Sequence, residues 1–252
     1  MGAPGFDDAP FVQLSRGQPK DVTFIYPYYE NPVFLQYHLM IWDAYPDDLR
    51  SRIRVVIVDD GSPVNPASDV LSDYRSDLSI RLFRIEVDVR WNWLAARNIG
   101  MRHATTEWCL LTDMDHVVRM NLADALVYEN HLTSMIYRLS RVESSEKPIH
   151  PHPNSMFMTR DMFWHIGGYD ETLSGHYGTD GDWRRRCVDS AWVRTLRHSL
   201  VRHEFEKDSS TTRYLRKQPE DAGKKRLIAQ RGNAWKPKVL SFPYHEVGVR
   251  HA

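Results

Sequence analysis

Over the first half of this chain, short runs of β-branched and aromatic residues alternate with segments of helical spacing, and few folds accept that rhythm. Val22–Tyr26 (VTFIY), Arg54–Val58 (RVVIV), Ile80–Ile85 and Trp108–Thr112 (WCLLT) read as buried strands. Between them, Phe34, Leu35, His38, Leu39 and Trp42 recur at helical spacing after an Asn31-Pro32 start. Pro66 to Arg75 and Leu94–Ala104 read as further helices. This alternation implies βαβ units and an α/β fold, with a mostly parallel central sheet and helices on both faces. Ligands of such sheets bind beyond the carboxyl ends of the strands. The polar clusters of this sequence fall at those ends.

The second half is less regular. Ser134–Val142, Ser155–Thr159 and Trp192–Leu196 read as strands. Arg160–Ile166 reads as a short helix stopped by Gly167-Gly168. Asp180–Asp189 and the basic Tyr214–Gln230 are expected as helices, and residues 1–20 as a mobile arm.

Lys+Arg and Asp+Glu both number 33, but the balance hides an asymmetry. From Arg184 to Lys238 there are 16 Lys/Arg against 6 Asp/Glu, whereas residues 1–90 carry 9 against 14. The basic stretch is either a solvated helix face or a surface facing an anionic acceptor or donor phosphate. Two cysteines, Cys109 and Cys187, supply neither a metal framework nor a disulfide scaffold, and suit a reducing compartment. The opening residues have no basic start and no apolar run, and no stretch approaches the ~18–20 apolar residues that cross a bilayer. The expectation is a cytoplasmic protein without membrane insertion.

Four local signals carry chemistry. Leu110-Leu111-Thr112-Asp113-Met114-Asp115-His116 ends an apolar strand in two carboxylates one residue apart, which can reach one hard cation as the strand curls into its turn. The same letters also suit a turn in which Asp makes local hydrogen bonds. Val58-Asp59-Asp60-Gly61-Ser62 puts a carboxylate where a ribose or base could bind. Ala95-Ala96-Arg97-Asn98-Ile99-Gly100 places a guanidinium in the helix before the metal strand, able to pair with phosphate or with an aspartate there. Gly167-Gly168-Tyr169-Asp170-Glu171 is followed by Gly178-Thr179-Asp180-Gly181-Asp182-Trp183. There, Asp180 or Asp182 could act as a general base, although Thr179 with Asp182 also resembles a capping box.

Taken in order, these pieces resemble the family 2 glycosyltransferases of the GT-A, Rossmann-like fold, over about residues 21–190. The matching segments are VTFIYPYYEN, VDDGS, ARNIG, TDMD, GGYDE and GTDGDWRRR. The resemblance implies a nucleoside-diphosphate sugar donor, with UDP the usual nucleotide, and a Mn²⁺ or Mg²⁺ ion. It implies a nucleotide-sugar-binding half over 21–118, an acceptor-binding half over 119–200 and a basic C-terminal segment over 201–252. Donor-side residues would be Pro27, Tyr28, Glu30, Asp60, Arg97 and Asp113. Asp113 and Asp115 would hold the metal, with His203 or His198 as a late addition. Gly167, Gly168, Tyr169 and His176 would face the acceptor. Asp180 would be the base of an inverting transfer, with Asp182 its rival. Thr179 departs from the family's usual Glu at the position before the base.

The stretch His150 to Arg186 is also similar to short glycosyltransferase-like proteins of tailed bacteriophages, in HPNS-x-F-M-x-R, FW-x-x-GGYDE and YGTDG. That resemblance implies a host-cytoplasmic enzyme and a hydroxymethylated pyrimidine in phage DNA as an acceptor, with the basic segment meeting backbone phosphates. A glycan or protein acceptor is the alternative, and a non-catalytic nucleic-acid- or glycan-binding module is a second. A sugar-phosphate nucleotidyltransferase lacks support, because no Gly-rich opening with a nearby Lys follows the first strand. No G-x-G-x-x-G follows any predicted strand, which argues against a nicotinamide enzyme.

Overall fold

A computed structural model describes residues 5–203, 222–232 and 234–249. In chain order the strands are β1 (Phe11–Val12), β2 (Val22–Tyr28), β3 (Ile53–Asp59), β4 (Ser79–Ile85), β5 (Trp108–Leu111), β6 (His116–Val117), β7 (Met135–Glu143), β8 (Pro148–Ile149), β9 (Met156–Thr159), β10 (Trp192–Arg202) and β11 (Tyr244–Val247). The helices are α1 (Pro32–Asp43), α2 (Asp47–Arg50), α3 (Ala67–Ser72), α4 (Trp93–His103), α5 (Met120–Tyr128), α6 (Arg160–Ile166), α7 (Asp180–Ser190) and α8 (Ala222–Ala229). The strands form one sheet in the order β1-β10-β7-β9-β5-β2-β3-β4-β11. β5, β2, β3 and β4 run parallel, as do β7 and β10, while β9 is antiparallel to both β5 and β7.

Period-two alternation splits the core into two layers. Val22, Phe24, Tyr26 and Tyr28 of β2 turn to one face with Leu35, Leu39 and Trp42 of α1 and Leu122 and Leu126 of α5. Ile25 turns to the other, with Ile99 of α4, Phe163 of α6 and Trp183 and Cys187 of α7. Helices therefore cover both faces, as the sequence implies. None of the described helices is long and apolar enough to cross a membrane.

β2 runs through Pro27 to Tyr28, two residues beyond the strand read from the sequence. The carbonyl of Ile25 accepts from Thr112 N on the β5 side, so Pro27, two residues on, faces that same side. β5 has already ended there, at Leu111, and no ladder partner asks for the missing N–H.

The segment expected as a mobile arm packs against the sheet over its described residues. Phe6 is buried, Phe11–Val12 pairs with Thr195–Leu196, and the buried Arg138 donates to Phe6 O at 2.6 Å. The apolar Phe6 and the strand-forming Phe11-Val12 pair outweigh the Gly/Pro composition. Helices α2 and α5 and strands β1, β6, β8 and β11 have no counterpart among the elements read from the sequence. β10 continues past Leu196 to Arg202, with a register shift before Ser199. The basic helix expected over Tyr214–Gln230 corresponds to Ala222–Ala229 where described. Its part before 222 lies outside the described residues.

Two buried histidines make the fold acid-sensitive. His38 Nε2 donates to Met114 O at 2.8 Å, beside Tyr26 and Trp42, and burial lowers its pKa to about 4. Burial, aided by the Lys20 ammonium, lowers that of His131 to about 3. An unfolded imidazole titrates at ~6.5. As pH falls the unfolded chain takes up protons first, so the stability these neutral rings contribute is full above ~6.5 and is lost toward about 4. Melting temperature is expected to fall steeply over that window and His38→Gln to flatten the slope. A melting temperature indifferent to pH there would contradict this account.

Candidate functional site

Chain direction gathers the candidate residues. β2, β3, β4, β5, β7 and β10 all point their carboxyl ends to one rim of the sheet. Asp60 follows β3, Asp113 and Asp115 follow β5, and His203 follows β10. α4 and α7 return from that rim to the amino ends of β5 and β10, so Arg97 sits one turn into α4 and Asp180 at the first position of α7. The loop carrying His152 enters β9 at the same rim, where Met156 pairs with Leu111.

Asp59 and Asp60 divide the labour of VDDGS. Asp59 accepts from Ser62 N at 2.8 Å and Ala67 N at 2.9 Å, closing the turn into α3. Asp60 is 5% exposed, and its Oδ1 has no hydrogen-bond partner among the described residues. Burial and the neighbouring Asp59 and Asp88 carboxylates raise its pKa well above the usual range. A buried oxygen without a partner is costly unless a ligand supplies a donor. Gly61, at φ 77°, lies under the Val87 carbonyl, where a Cβ would come within 2.7 Å.

Glu30 and Tyr28 hold this loop. Glu30 Oε1 accepts from Val64 N at 2.7 Å, Oε2 accepts from Asn65 Nδ2 at 2.7 Å, and the buried Tyr28 donates to Asn65 O at 2.6 Å. Both were expected to line the donor pocket. The structure commits the Glu30 carboxylate and the Tyr28 hydroxyl to the loop, with Pro27 half-buried beside them.

Arg97 is fully buried. It donates to Asp113 Oδ1, to Asn154 O and, at 3.0 Å, to Tyr169 Oη, with the Trp93 ring 4.9 Å from its guanidinium. Of the two partners the sequence allowed, phosphate or aspartate, the structure shows the aspartate. The closing glycine of ARNIG has its own reason, since a Cβ at Gly100 would come within 2.3 Å of Ile25 Cγ2. α4 can lie this close to β2 only with glycine there.

Asp113 and Asp115 are 30% and 41% exposed, each with a histidine beside it. His116 Nδ1 donates to Asp115 Oδ1 at 2.6 Å, because its Nε2 faces the Arg141 donor at 3.3 Å. His152 Nε2 lies 3.4 Å from Asp113 Oδ2, and the two imidazoles lie tilted against each other with centroids 4.2 Å apart. Burial by itself would raise the Asp115 pKa. His116, by its electrostatic interaction and its hydrogen bond, together with His152 and Arg202 outweighs it and holds the carboxyl below its usual range. His203 donates its backbone N–H to Asp115 O at 3.1 Å, and its ring packs on Tyr37. His198 instead pairs with Glu129 at 2.9 Å. Among the described residues no three His, Cys, Asp or Glu side chains are gathered to hold a metal by themselves. Two reachable carboxylates still match a hard cation that takes one or two protein oxygens and completes its shell with phosphate and water.

Asp180 and Asp182 separate in the structure. Asp182 is 9% exposed and bonded to Arg186 Nε at 3.1 Å and to Arg231. Asp180 keeps 23% of its side chain exposed and pairs with Arg184 at 3.0 Å. Thr179 makes no side-chain cap, so the capping-box reading is not realised.

GGYDE does different work from that expected. A Cβ at Gly167 would meet Pro237 Cγ at 3.0 Å, and one at Gly168 would meet Asn98 Oδ1 at 3.0 Å and Val239 Cγ1 at 3.1 Å. The glycines lie under the chain's own C-terminal segment. Asp170 accepts from Arg231 at 2.6 Å, and Glu171 from Leu240 N, Ser241 N and Asn98 Nδ2, each at 2.7 Å. Tyr169 is fully buried, stacked on Trp183 at 4.4 Å. His176 is half-buried in the loop before α7. The sequence reading missed His116, His152, Asn98, Arg231 and Lys224. The adjacency of His116 to Asp115 was a visible signal, whereas the others need tertiary contacts.

The family model described as glycosyl transferase family 2 matches residues 44–172. No curated protein matches. Among solved structures, the chain is similar to the mannosyltransferase PcManGT from Pyrobaculum calidifontis in complex with GDP-Man and Mn²⁺ (TM-score 0.57, 19% identity, covering 82% of this chain and 64% of that one). It is also similar to S. aureus TarS 1-349 in complex with UDP-GlcNAc (0.58, 15%, 75% and 61%). A third is the catalytic domain of Drosophila beta1,4galactosyltransferase 7 in complex with xylobiose (0.56, 13%, 86% and 82%). The chain thus spans less than two thirds of the first two. These likenesses show a shared GT-A fold.

Proposed function

This chain belongs to glycosyl transferase family 2, and on that premise we propose that it moves a sugar from a nucleoside-diphosphate sugar to an acceptor hydroxyl with inversion. The observation that carries the reading is one sheet rim holding both a buried, unpartnered Asp60 oxygen and the reachable Asp113–Asp115 pair. Asp60 would accept from the donor's base, and uracil offers a suitable N–H. Asp113 and Asp115 would hold Mn²⁺ or Mg²⁺, which when bound neutralises the diphosphate. Arg97 and His152 fix Asp113, and His116 fixes Asp115, so the carboxylates are oriented before donor arrives.

Asp180 would take the proton of the acceptor hydroxyl. The hydroxyl oxygen bonds to the anomeric carbon while the bond to the diphosphate oxygen breaks and its electron pair leaves with the nucleotide. A single displacement inverts the configuration, giving a hexosyl or pentosyl transfer. For the acceptor, the excess of 16 Lys/Arg over 6 Asp/Glu between 184 and 238 favours an anionic polymer. A hydroxymethylated pyrimidine in phage DNA is the case the sequence resemblance suggests, and a glycan or protein hydroxyl is the alternative.

The test is Asp180→Asn, read as nucleoside-diphosphate release from a nucleotide-sugar with water standing in for the acceptor. Turnover is expected to fall about 10²–10⁴-fold, the range of a lost general base, with donor affinity unchanged. Near-normal turnover in the variant would remove Asp180 from this role.

A further inference from the structure

Helix α8 lies beyond the span that matches the family, and, with the turn that follows, it does three different jobs. Leu227 and Ile228 pack against the core layer on the α4 side of the sheet. Arg231 stands two residues past the end of α8, in the turn that closes it, where its N–H donates to Ile228 O at 3.2 Å. Its guanidinium joins Asp170 at 2.6 Å and Asp182, and lies 3.8 Å from the Trp235 ring centroid. Lys224 Nζ donates to Tyr177 O at 2.8 Å and to Gly178 O at 2.9 Å.

Those contacts bracket one residue. Tyr177 and Gly178 stand three and two positions before Asp180, and Asp182 stands two after it. The loop between is rich in glycine. Gly175 and Gly178 are at φ 86° and 69°, and a Cβ at Gly175 or Gly181 would meet nothing within 4 Å. Thr179 supplies no cap, and its hydroxyl is buried without a partner among the described residues. Further contacts on this segment include the Tyr177 ring against Trp91 at 5.1 Å and Arg184 on Asp180 at 3.0 Å.

We propose that Lys224 is a positioning residue for the transfer: by holding the Tyr177 and Gly178 carbonyls, α8 sets the orientation of Asp180. This rests on Asp180 being the base. It also gives part of the basic segment an internal task, distinct from meeting an anionic acceptor.

The test uses the full chain with Lys224→Ala, Lys224→Arg and Asp180→Asn. Amide hydrogen exchange over residues 175–180, melting temperature, donor affinity and nucleotide-sugar turnover are measured for each. Lys224→Ala is expected to speed exchange of the loop amides while exchange over 160–168 and the melting temperature stay near those of the parent chain. It should lower kcat roughly 10–100-fold, the penalty of a misplaced reacting group, with KM for the donor little changed. Lys224→Arg should restore most of both effects. Parent-like loop exchange in Lys224→Ala, or faster exchange with undiminished turnover, would overturn the proposal. If Asp180→Asn keeps its turnover, the base assignment fails and the positioning role with it. If Asp180→Asn loses turnover but Lys224→Ala does not, the inference about Lys224 alone fails.

Discussion

Asp115→Ala is expected to remove both the divalent-metal dependence of nucleotide binding and the turnover of the nucleotide-sugar. In the parent chain, a nucleoside diphosphate with Mn²⁺ or Mg²⁺ should raise the melting temperature, because a ligand that binds only the folded state stabilises it by mass action. Asp115 is the more exposed of the two rim carboxylates, and His116 holds it in place. Its loss leaves Asp113, which is already engaged by Arg97 and His152. Stabilising a developing diphosphate charge is worth several kcal/mol. At ~1.4 kcal/mol per decade, turnover should drop roughly 10²–10³-fold or more. The diagnostic result is a variant that melts like its parent without ligand but shows no metal-dependent shift. A full metal-dependent shift in Asp115→Ala would place the cation elsewhere.

The second large effect is on stability. Arg231→Met removes the cation shared by Asp170 and Asp182, whose side chains are 0% and 3% exposed. Asp182 keeps Arg186, but among the described residues Asp170 keeps only the Thr172 and Lys238 backbone N–H groups, both at 3.1 Å. Breaking a buried pair by deleting one partner costs about 3–5 kcal/mol. For a domain of this size that is roughly 6–20 °C in melting temperature. The C-terminal segment over Gly167 and Gly168 should loosen at the same time, because Lys238 and Leu240 hang on the same Asp170–Glu171 pair. A change of less than about 2 °C would mean that the triad is solvated enough to matter little.

The same triad shows why the two candidate bases could not be told apart by reading letters. Asp180 and Asp182 both stand in the first turn of one helix, each with an arginine four residues on, so residue type and local pairing treat them alike. The partner that separates them, Arg231, is 49 positions downstream. Likewise the glycines of GGYDE are visible as glycines. That they accommodate Pro237 and Val239 depends on where the C-terminal segment crosses.

What the sequence determined by itself is the local and periodic part. Strand and helix alternation over 22–111, the two-faced burial of β2 and β3, and the placing of carboxylates at strand ends follow from side-chain spacing of two and 3.6. The ordered motifs also sufficed to identify the family. The tertiary structure decided which polar groups are satisfied from within and which are not. Glu30, Asp170, Glu171 and Asp182 are consumed by the fold, whereas Asp60, Asp113, Asp115 and Asp180 keep an oxygen unpartnered among the described residues or part of the side chain exposed. The physical reason is that the free energy of a buried charge depends on partners within a few ångströms, and those partners come from segments far apart in the chain.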